Sequence, residues 1–267
     1  MFLPETGQRF RAPRLATGVA ALGLLGLLAS ACGGDGDPAG DPATSAPASS
    51  PTAGTGDGET PGDAAADGLY FYPPVEGATL TMANSGGGAS TTEVTVDRVA
   101  AEGGGQTVSA TETVAGAGEP VEVERIFRTG ADGSLTIDAA AFGASGAGTE
   151  VTAVGDDVLI PPISELESGS SSTGETFVEL AGAGFSGRMD VSYTVTGDGF
   201  TSVTVPFGTV DAYVVQLDLD IESSLAGAVD GASTYWIVPG FGVVRQEVTI
   251  AGAALVSELT ASSVPLP

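Results

Sequence analysis

The sequence predicts an all-β fold, a single curved antiparallel sheet or open half-barrel, and three observations carry that prediction. Apolar residues recur at every second position in several runs between residue 69 and the C-terminus. Turn-forming dipeptides punctuate those runs. No window of about twelve residues keeps helical spacing without a glycine or proline interrupting it. Period two marks strands with one buried face, and clean alternation joined by short loops argues for antiparallel pairing.

Taken in order, the first element lies outside that domain. Arg9, Arg11 and Arg14 form a basic region ahead of the apolar run Leu15–Leu28. This run is shorter than the ~20 residues a membrane helix needs and matches a signal peptide. It ends in Leu28-Ala29-Ser30-Ala31-Cys32, followed by Gly33-Gly34-Asp35. That segment resembles the lipobox of bacterial lipoproteins, with Ala29 where leucine is usual. The resemblance implies that residues 1–31 are removed and that Cys32 becomes the first residue. Cys32 then receives a thioether diacylglycerol and an N-acyl chain, anchoring the protein on the outer face of the cell membrane. At about 0.8 kcal/mol per buried methylene, two or three chains hold essentially permanently. A second reading keeps Ala29-Ser30-Ala31 as an ordinary signal-peptidase site that leaves an unlipidated cysteine. Leu3-Pro4-Glu5-Thr6-Gly7 matches the sortase pattern, but it precedes the apolar run, where sortase cannot use it.

Residues 32–68 form the next element, a tether of Gly, Ala, Asp, Pro, Ser and Thr with little else. With nothing to bury, such a segment cannot offset its ordering entropy and is expected to be disordered. A coil of this length spans roughly 30–35 Å. Thr44 to Thr52 resembles segments that carry O-linked sugar in secreted actinobacterial proteins, and a plain spacer is the alternative. Asp35 and Asp37 flank a glycine as in some calcium loops, without the further ligands such a loop requires.

The third element, residues 69–267, is the all-β domain. In Arg188 to Thr196, Met189, Val191, Tyr193 and Val195 share one face. In Asp211 to Glu222, Tyr213, Val215, Leu217, Leu219 and Ile221 oppose Gln216, Asp218, Asp220 and Glu222. Ala78-Leu80-Met82, Val94-Val96 and Val244-Val248-Ile250 repeat the pattern. Asp132-Gly133, Asp198-Gly199, Asp230-Gly231 and Pro239-Gly240 read as turns, and Ile163 to Ser168 as a single helical turn. Tyr72-Pro73-Pro74 and Ile160-Pro161-Pro162 each open a run of strands, so two half-repeats or chance both account for them.

Near the C-terminus, Pro206-Phe207-Gly208 leads into a strand, and Thr234-Tyr235-Trp236 turns through Pro239-Gly240-Phe241-Gly242 into the last strands. This pattern resembles uncharacterised secreted bacterial β-domains, similar in outline to the open half-barrels of lipoprotein carriers and lipid-binding mycobacterial lipoproteins. The resemblance carries no catalytic residues.

Composition excludes much chemistry. The chain has 34 acidic and 8 basic residues, with no histidine and a net charge of −26. All the basic residues are arginine. The arginine, glycine and alanine usage resembles that of actinobacterial secreted proteins; a salt-adapted surface is the alternative. So negative a surface repels phosphate backbones, which excludes nucleic acid as a partner. Cys32 is the single cysteine, so the domain has neither an internal disulfide nor a thiolate cluster for metal. Lacking histidine and lysine, it offers no imidazole base, no phosphate-loop lysine and no Schiff base.

Carboxylates remain. Asp218 and Asp220 share a strand face about 7 Å apart, a spacing some glycosidases use; their polar surroundings read as a solvated face, and Asp156-Asp157 as a turn. Gly182-Ala183-Gly184-Phe185-Ser186-Gly187 spells the dinucleotide fingerprint, but an alternating strand follows it instead of a helix, so it reads as a hairpin loop. Tyr235 and Trp236 are the candidate ligand contacts, although a sheet buries alternate residues and at least one of them is expected in the core.

These observations predict a non-enzymatic surface lipoprotein with no cofactor and no metal, its lipid on Cys32 and its sheet binding an apolar ligand or an envelope partner. The rivals are a pocketless structural module and a carboxylate-dependent hydrolase of wall polysaccharide.

Overall fold

The computed structural model describes residues 68–267 apart from 87–89, 117–119, 143–148, 168, 183–184 and 225–226. The expected signal peptide, Cys32 and the expected tether up to residue 67 lie outside the described residues, and Gly68, the last residue assigned to the tether, is described and buried. The described chain folds as predicted, into one antiparallel sheet with almost no helix. Two meanders build it. The first comprises β1 (Thr79–Ser85), β2 (Ser90–Glu102), β3 (Gly105–Ala115), β4 (Val121–Thr129) and β5 (Leu135–Ile137). The second comprises β8 (Ser172–Gly182), β9 (Phe185–Val205), β10 (Gly208–Ser223), β11 (Gly227–Val238), β12 (Gly242–Ile250) and β13 (Ala253–Ser262). Between them lie β6 (Thr149–Val154), β7 (Val158–Ile160) and the one-turn helix α1 (Ile163–Leu166). The Tyr72-Pro73-Pro74 and Ile160-Pro161-Pro162 segments stand at the head of the two meanders, where proline without a donor N–H costs no ladder bond.

All thirteen strands join in the order β6-β8-β9-β10-β11-β12-β13-β1-β2-β3-β4-β5-β7. The last strand therefore pairs with the first, Leu80 opposite Ser262 and Asn84 opposite Ser257. A buried polar cluster sets that register. Asn84 donates to Thr92 Oγ1 at 3.0 Å on β2 and accepts from Ser257 Oγ at 2.7 Å on β13. Slipping either neighbour by one residue would turn its partner side chain to the other face and strand the buried amide.

The sheet is rolled but not closed into a barrel. Its two terminal strands, β6 and β7, are consecutive in the chain, and only Gly155, Asp156 and Asp157 join them. Four residue steps span at most ~15 Å, so opposite ends of the sheet are forced side by side. Gly155 N–H continues the β8 ladder onto Phe177 O at 2.8 Å. Asp157 accepts from Arg128 Nη1 on β4 at 2.8 Å. Leu159 N–H on β7 reaches Tyr193 Oη on β9 at 3.3 Å. Tyr193 crosses the intervening strand over Gly174, where an added Cβ would lie 2.3 Å from its hydroxyl oxygen.

One hydrophobic cluster fills the inside of the roll and draws on both meanders. The alternation read from the sequence holds in β10, where Tyr213, Val215, Leu217, Leu219 and Ile221 are buried while Gln216, Asp218, Asp220 and Glu222 are exposed. Two dipeptides read as turns prove otherwise. Asp198-Gly199 lies within β9, where the ladder to β10 shifts between Val214 and Val215 and Gly199 takes φ +81°. It is a bulge, which uses the same left-handed glycine a turn uses. Asp230-Gly231 sits inside β11, with Gly231 opposite Ile250. Asp132-Gly133 and Pro239-Gly240 are turns as predicted.

Candidate functional site

The inner face of β3 and β4 departs from apolar alternation. Glu112 stands in phase with buried Val108 and Ala110, and Arg125 and Thr129 stand in phase with buried Phe127. Charged side chains facing a core need partners, and here the partners come from residues 68–72, just before the first strand. Tyr72 donates its hydroxyl to Glu112 Oε1 at 2.5 Å. Arg125 Nε lies 3.4 Å from Glu112 Oε2. Thr129 Oγ1 donates to Leu69 O at 2.7 Å. Sequence reading missed this group, although its signal was present as charges at inward-phased strand positions.

Gly68–Tyr72 is thus a segment outside any strand, bent at Phe71 and Tyr72 and held inside the roll. Gly240 N–H bonds Gly68 O at 3.1 Å, Leu69 N–H bonds Gly133 O at 3.1 Å, and Val243 N–H bonds Phe71 O at 3.0 Å. Gly242 permits the last contact, for its φ is +129° and an added Cβ would lie 2.8 Å from Phe71 O. Leu69, Tyr70, Phe71 and Tyr72 are all buried. Phe71 stacks on Phe127 with centroids 4.2 Å apart and meets Tyr72 and Tyr235 edge-on at 5.1 and 5.7 Å.

Tyr235 and Trp236, the two candidate contacts, point to opposite faces of β11. Tyr235 is fully buried against Phe71. Burial pushes its phenol far above the ordinary 10.0. Tyr72 is raised likewise, by burial first and by the Glu112 charge second. Trp236 is half-buried on the other side, with the Arg245 guanidinium 5.1 Å from its ring centroid. Arg245 in turn pairs with Glu247 and Glu258 at 2.5 and 2.7 Å. The two aromatics therefore do not form one surface.

Asp218 and Asp220 lie on the outer face, in a row-by-row acidic arrangement that the ladder brings together. Asp220 faces Asp230 across β10–β11, and Glu222 faces Asp190 across β9–β10. An open groove of about 1050 Å³ runs over β8 to β11, lined by Asp156, Glu175, Asp190, Asp220, Glu222 and Asp230 among others. Among the described residues lining it, Arg188 is the cation. That guanidinium is engaged with Asp190 at 2.7 Å and Glu179 at 3.6 Å, 3.8 Å above the Phe177 ring. Asp218, Glu175 and Tyr193 line a neighbouring recess of about 470 Å³. Asp156 and Asp157 form the link between the terminal strands.

The dinucleotide-like glycines join β8 to β9, with Gly182 paired to Phe185 and no helix following. Among the described residues, no group of three or more His, Cys, Asp or Glu side chains is placed to hold a metal ion. None of their helices is long and apolar enough to cross a membrane.

The sequence model of a family described as DUF3108-like matches residues 76–259. The fold is similar to that of a Bacteroides fragilis protein described as exported and YmcC-like in fold, at 18% identity and TM-score 0.56, covering 73% of this chain and 100% of that one. It is also similar to a Parabacteroides distasonis protein described as a lipoprotein, at 17% identity and TM-score 0.58, covering 74% and 100%. No curated protein matches the chain.

Proposed function

The chain belongs to the DUF3108-like family, and from that premise we propose that it is a lipid-anchored lipoprotein of the cell envelope whose domain is a non-enzymatic docking module for a cationic partner. The observation that carries this reading is the outer groove over β8–β11, where carboxylates face each other across two ladders. Like charges held opposite each other cost stability, and a cationic ligand would remove that cost. The inside of the roll offers less to an apolar ligand, because Leu69–Tyr72 already occupies it. Anchoring rests on Cys32 and on the lipobox-like residues before it. The descriptions of the two structural relatives as exported and as a lipoprotein agree with an envelope location.

The decisive experiment titrates a fluorescent oligo-lysine peptide into two charge-matched triple variants. One removes groove carboxylates, Asp220→Asn, Glu222→Gln and Asp230→Asn; the other removes Glu93, Asp97 and Glu122, exposed on β2 and β4. Localised docking predicts about tenfold weaker binding for the groove variant and little change for the control. Equal weakening in both would reduce the groove to a share of diffuse charge and discard the reading. In cells, Cys32→Ser is expected to release the protein into the medium.

A further inference from the structure

We propose that the inner face of the roll is a peptide-binding cleft for a short aromatic segment, and that Gly68–Tyr72 is its built-in occupant, which can leave while the sheet stays folded. This concerns the inner face and stands or falls independently of the outer groove.

Four features set the segment apart from a strand of the sheet. First, it is bound as a ligand is bound. It belongs to no ladder, and single main-chain hydrogen bonds from three separate places, Gly133, Gly240 and Val243, hold it. Main-chain bonds of this kind contribute affinity in peptide recognition, and the pockets that take the side chains contribute selectivity.

Second, the receiving wall is chemically specific. Phe127 and Tyr235 offer aromatic faces to Phe71, Glu112 accepts the Tyr72 hydroxyl, and Thr129 donates to the Leu69 carbonyl. Gly242 leaves the room that the Phe71 carbonyl needs. An aromatic residue followed by a phenol, on a backbone that bends at these two positions, meets these groups.

Third, the cleft's components are all within the family's matched span, residues 76–259, whereas its occupant precedes that span. Fourth, the connection between occupant and sheet is an exposed turn. Val75, Glu76 and Gly77 are exposed, and Gly77 N–H bonds Val96 O at 2.9 Å. Cutting there removes no buried side chain.

The test uses the full mature chain with a protease recognition sequence inserted between Glu76 and Gly77, cut in the folded state. A fluorescent synthetic peptide of residues Gly68–Val75 is then added in excess, and bound label and sheet content are followed together. The proposal expects saturable, competable exchange of the label with unchanged far-ultraviolet dichroism. A Phe71→Ala peptide should bind on the order of tenfold or more weakly, since it loses the stack on Phe127 and the burial of the ring. Loss of sheet signal as the native segment departs would overturn the proposal, making residues 68–72 an ordinary part of the core. So would failure of the labelled peptide to enter the cut protein while its sheet stays intact. Cutting and exchange leave Asp220, Glu222 and Asp230 untouched, so the oligo-lysine titration of the outer groove reads out separately.

Discussion

The inner and outer faces of the same strands solve opposite problems. On the inside, charge is scarce and each charged group is answered: Glu112 meets Arg125 and the Tyr72 hydroxyl within a few ångströms. On the outside of β8–β11, charge is plentiful and only partly answered: Asp220 stands opposite Asp230, and Glu222 stands opposite Asp190, which Arg188 pairs at 2.7 Å. Solvent makes the difference. A buried carboxylate without a partner costs several kcal/mol, whereas an exposed like-charge pair costs roughly 0.2–1 kcal/mol and is screened by salt. The inner face therefore holds the fold together, and the outer face is free to carry a function that the fold does not need.

Substitutions should reproduce that contrast. The largest effect is expected for Phe71→Ala, which removes a buried ring from the stack on Phe127 and from edge contacts with Tyr72 and Tyr235. A loss of about 3–5 kcal/mol is expected, read as the shift of a denaturant midpoint. A loss below about 1 kcal/mol would mean that the segment adds little to the core. Next comes Gly174→Ala. Its Cβ would fall 2.3 Å from the Tyr193 hydroxyl oxygen, so the ring must move away from Leu159 N–H and the seam between the sheet's ends loosens. About 1–3 kcal/mol is expected, with faster amide exchange in β7 than in β10.

Alkaline pH gives a third, intermediate effect. Tyr72 and Tyr235 have phenols raised above 10.0 in the folded protein, by burial first. A raised folded value means that the unfolded chain ionises first. The stability these groups contribute is complete below about pH 10 and falls as pH rises beyond it, by up to about 1.4 kcal/mol per pH unit for each phenol. Unfolding followed between pH 8 and 12 should be flat at first and then decline. A decline that begins well below pH 10 would contradict the assignment to these residues. The smallest effect belongs outside. Asp220→Asn should stabilise by a few tenths of a kcal/mol at low ionic strength through relief of the Asp230 repulsion, and the gain should vanish in molar salt.

Much of the fold was legible because alternation is unambiguous where a strand is half wet. From Tyr213 to Glu222 the residues sort cleanly by face, and the antiparallel, helix-poor architecture follows. Turn chemistry was less reliable, since a glycine with positive φ serves a bulge at Gly199 as well as it serves a hairpin, and Gly231 needs no special backbone at all. The return of β13 to β1 and the placing of β6 and β7 at opposite ends of the sheet were not legible, because both depend on contacts between residues far apart in sequence. The inner site was half legible. Tyr235 stood out as an aromatic, but the Glu112–Arg125 pair on the same inner face is recognisable only once the inward phase of β3 and β4 is known. Gly68 was read as the end of the tether and Leu69–Tyr72 as the start of the domain, and all five prove to be buried inside the roll.

That last assignment is tested most directly by residue-resolved amide hydrogen exchange on the intact mature protein. Leu69 N–H, bonded to Gly133 O, and Val243 N–H, bonded to Phe71 O, should be protected at least a hundredfold over an unstructured peptide. Exchange of Leu69 at the rate of a free peptide, while β10 and β11 stay protected, would show that the segment lies outside the roll in solution and would contradict the account.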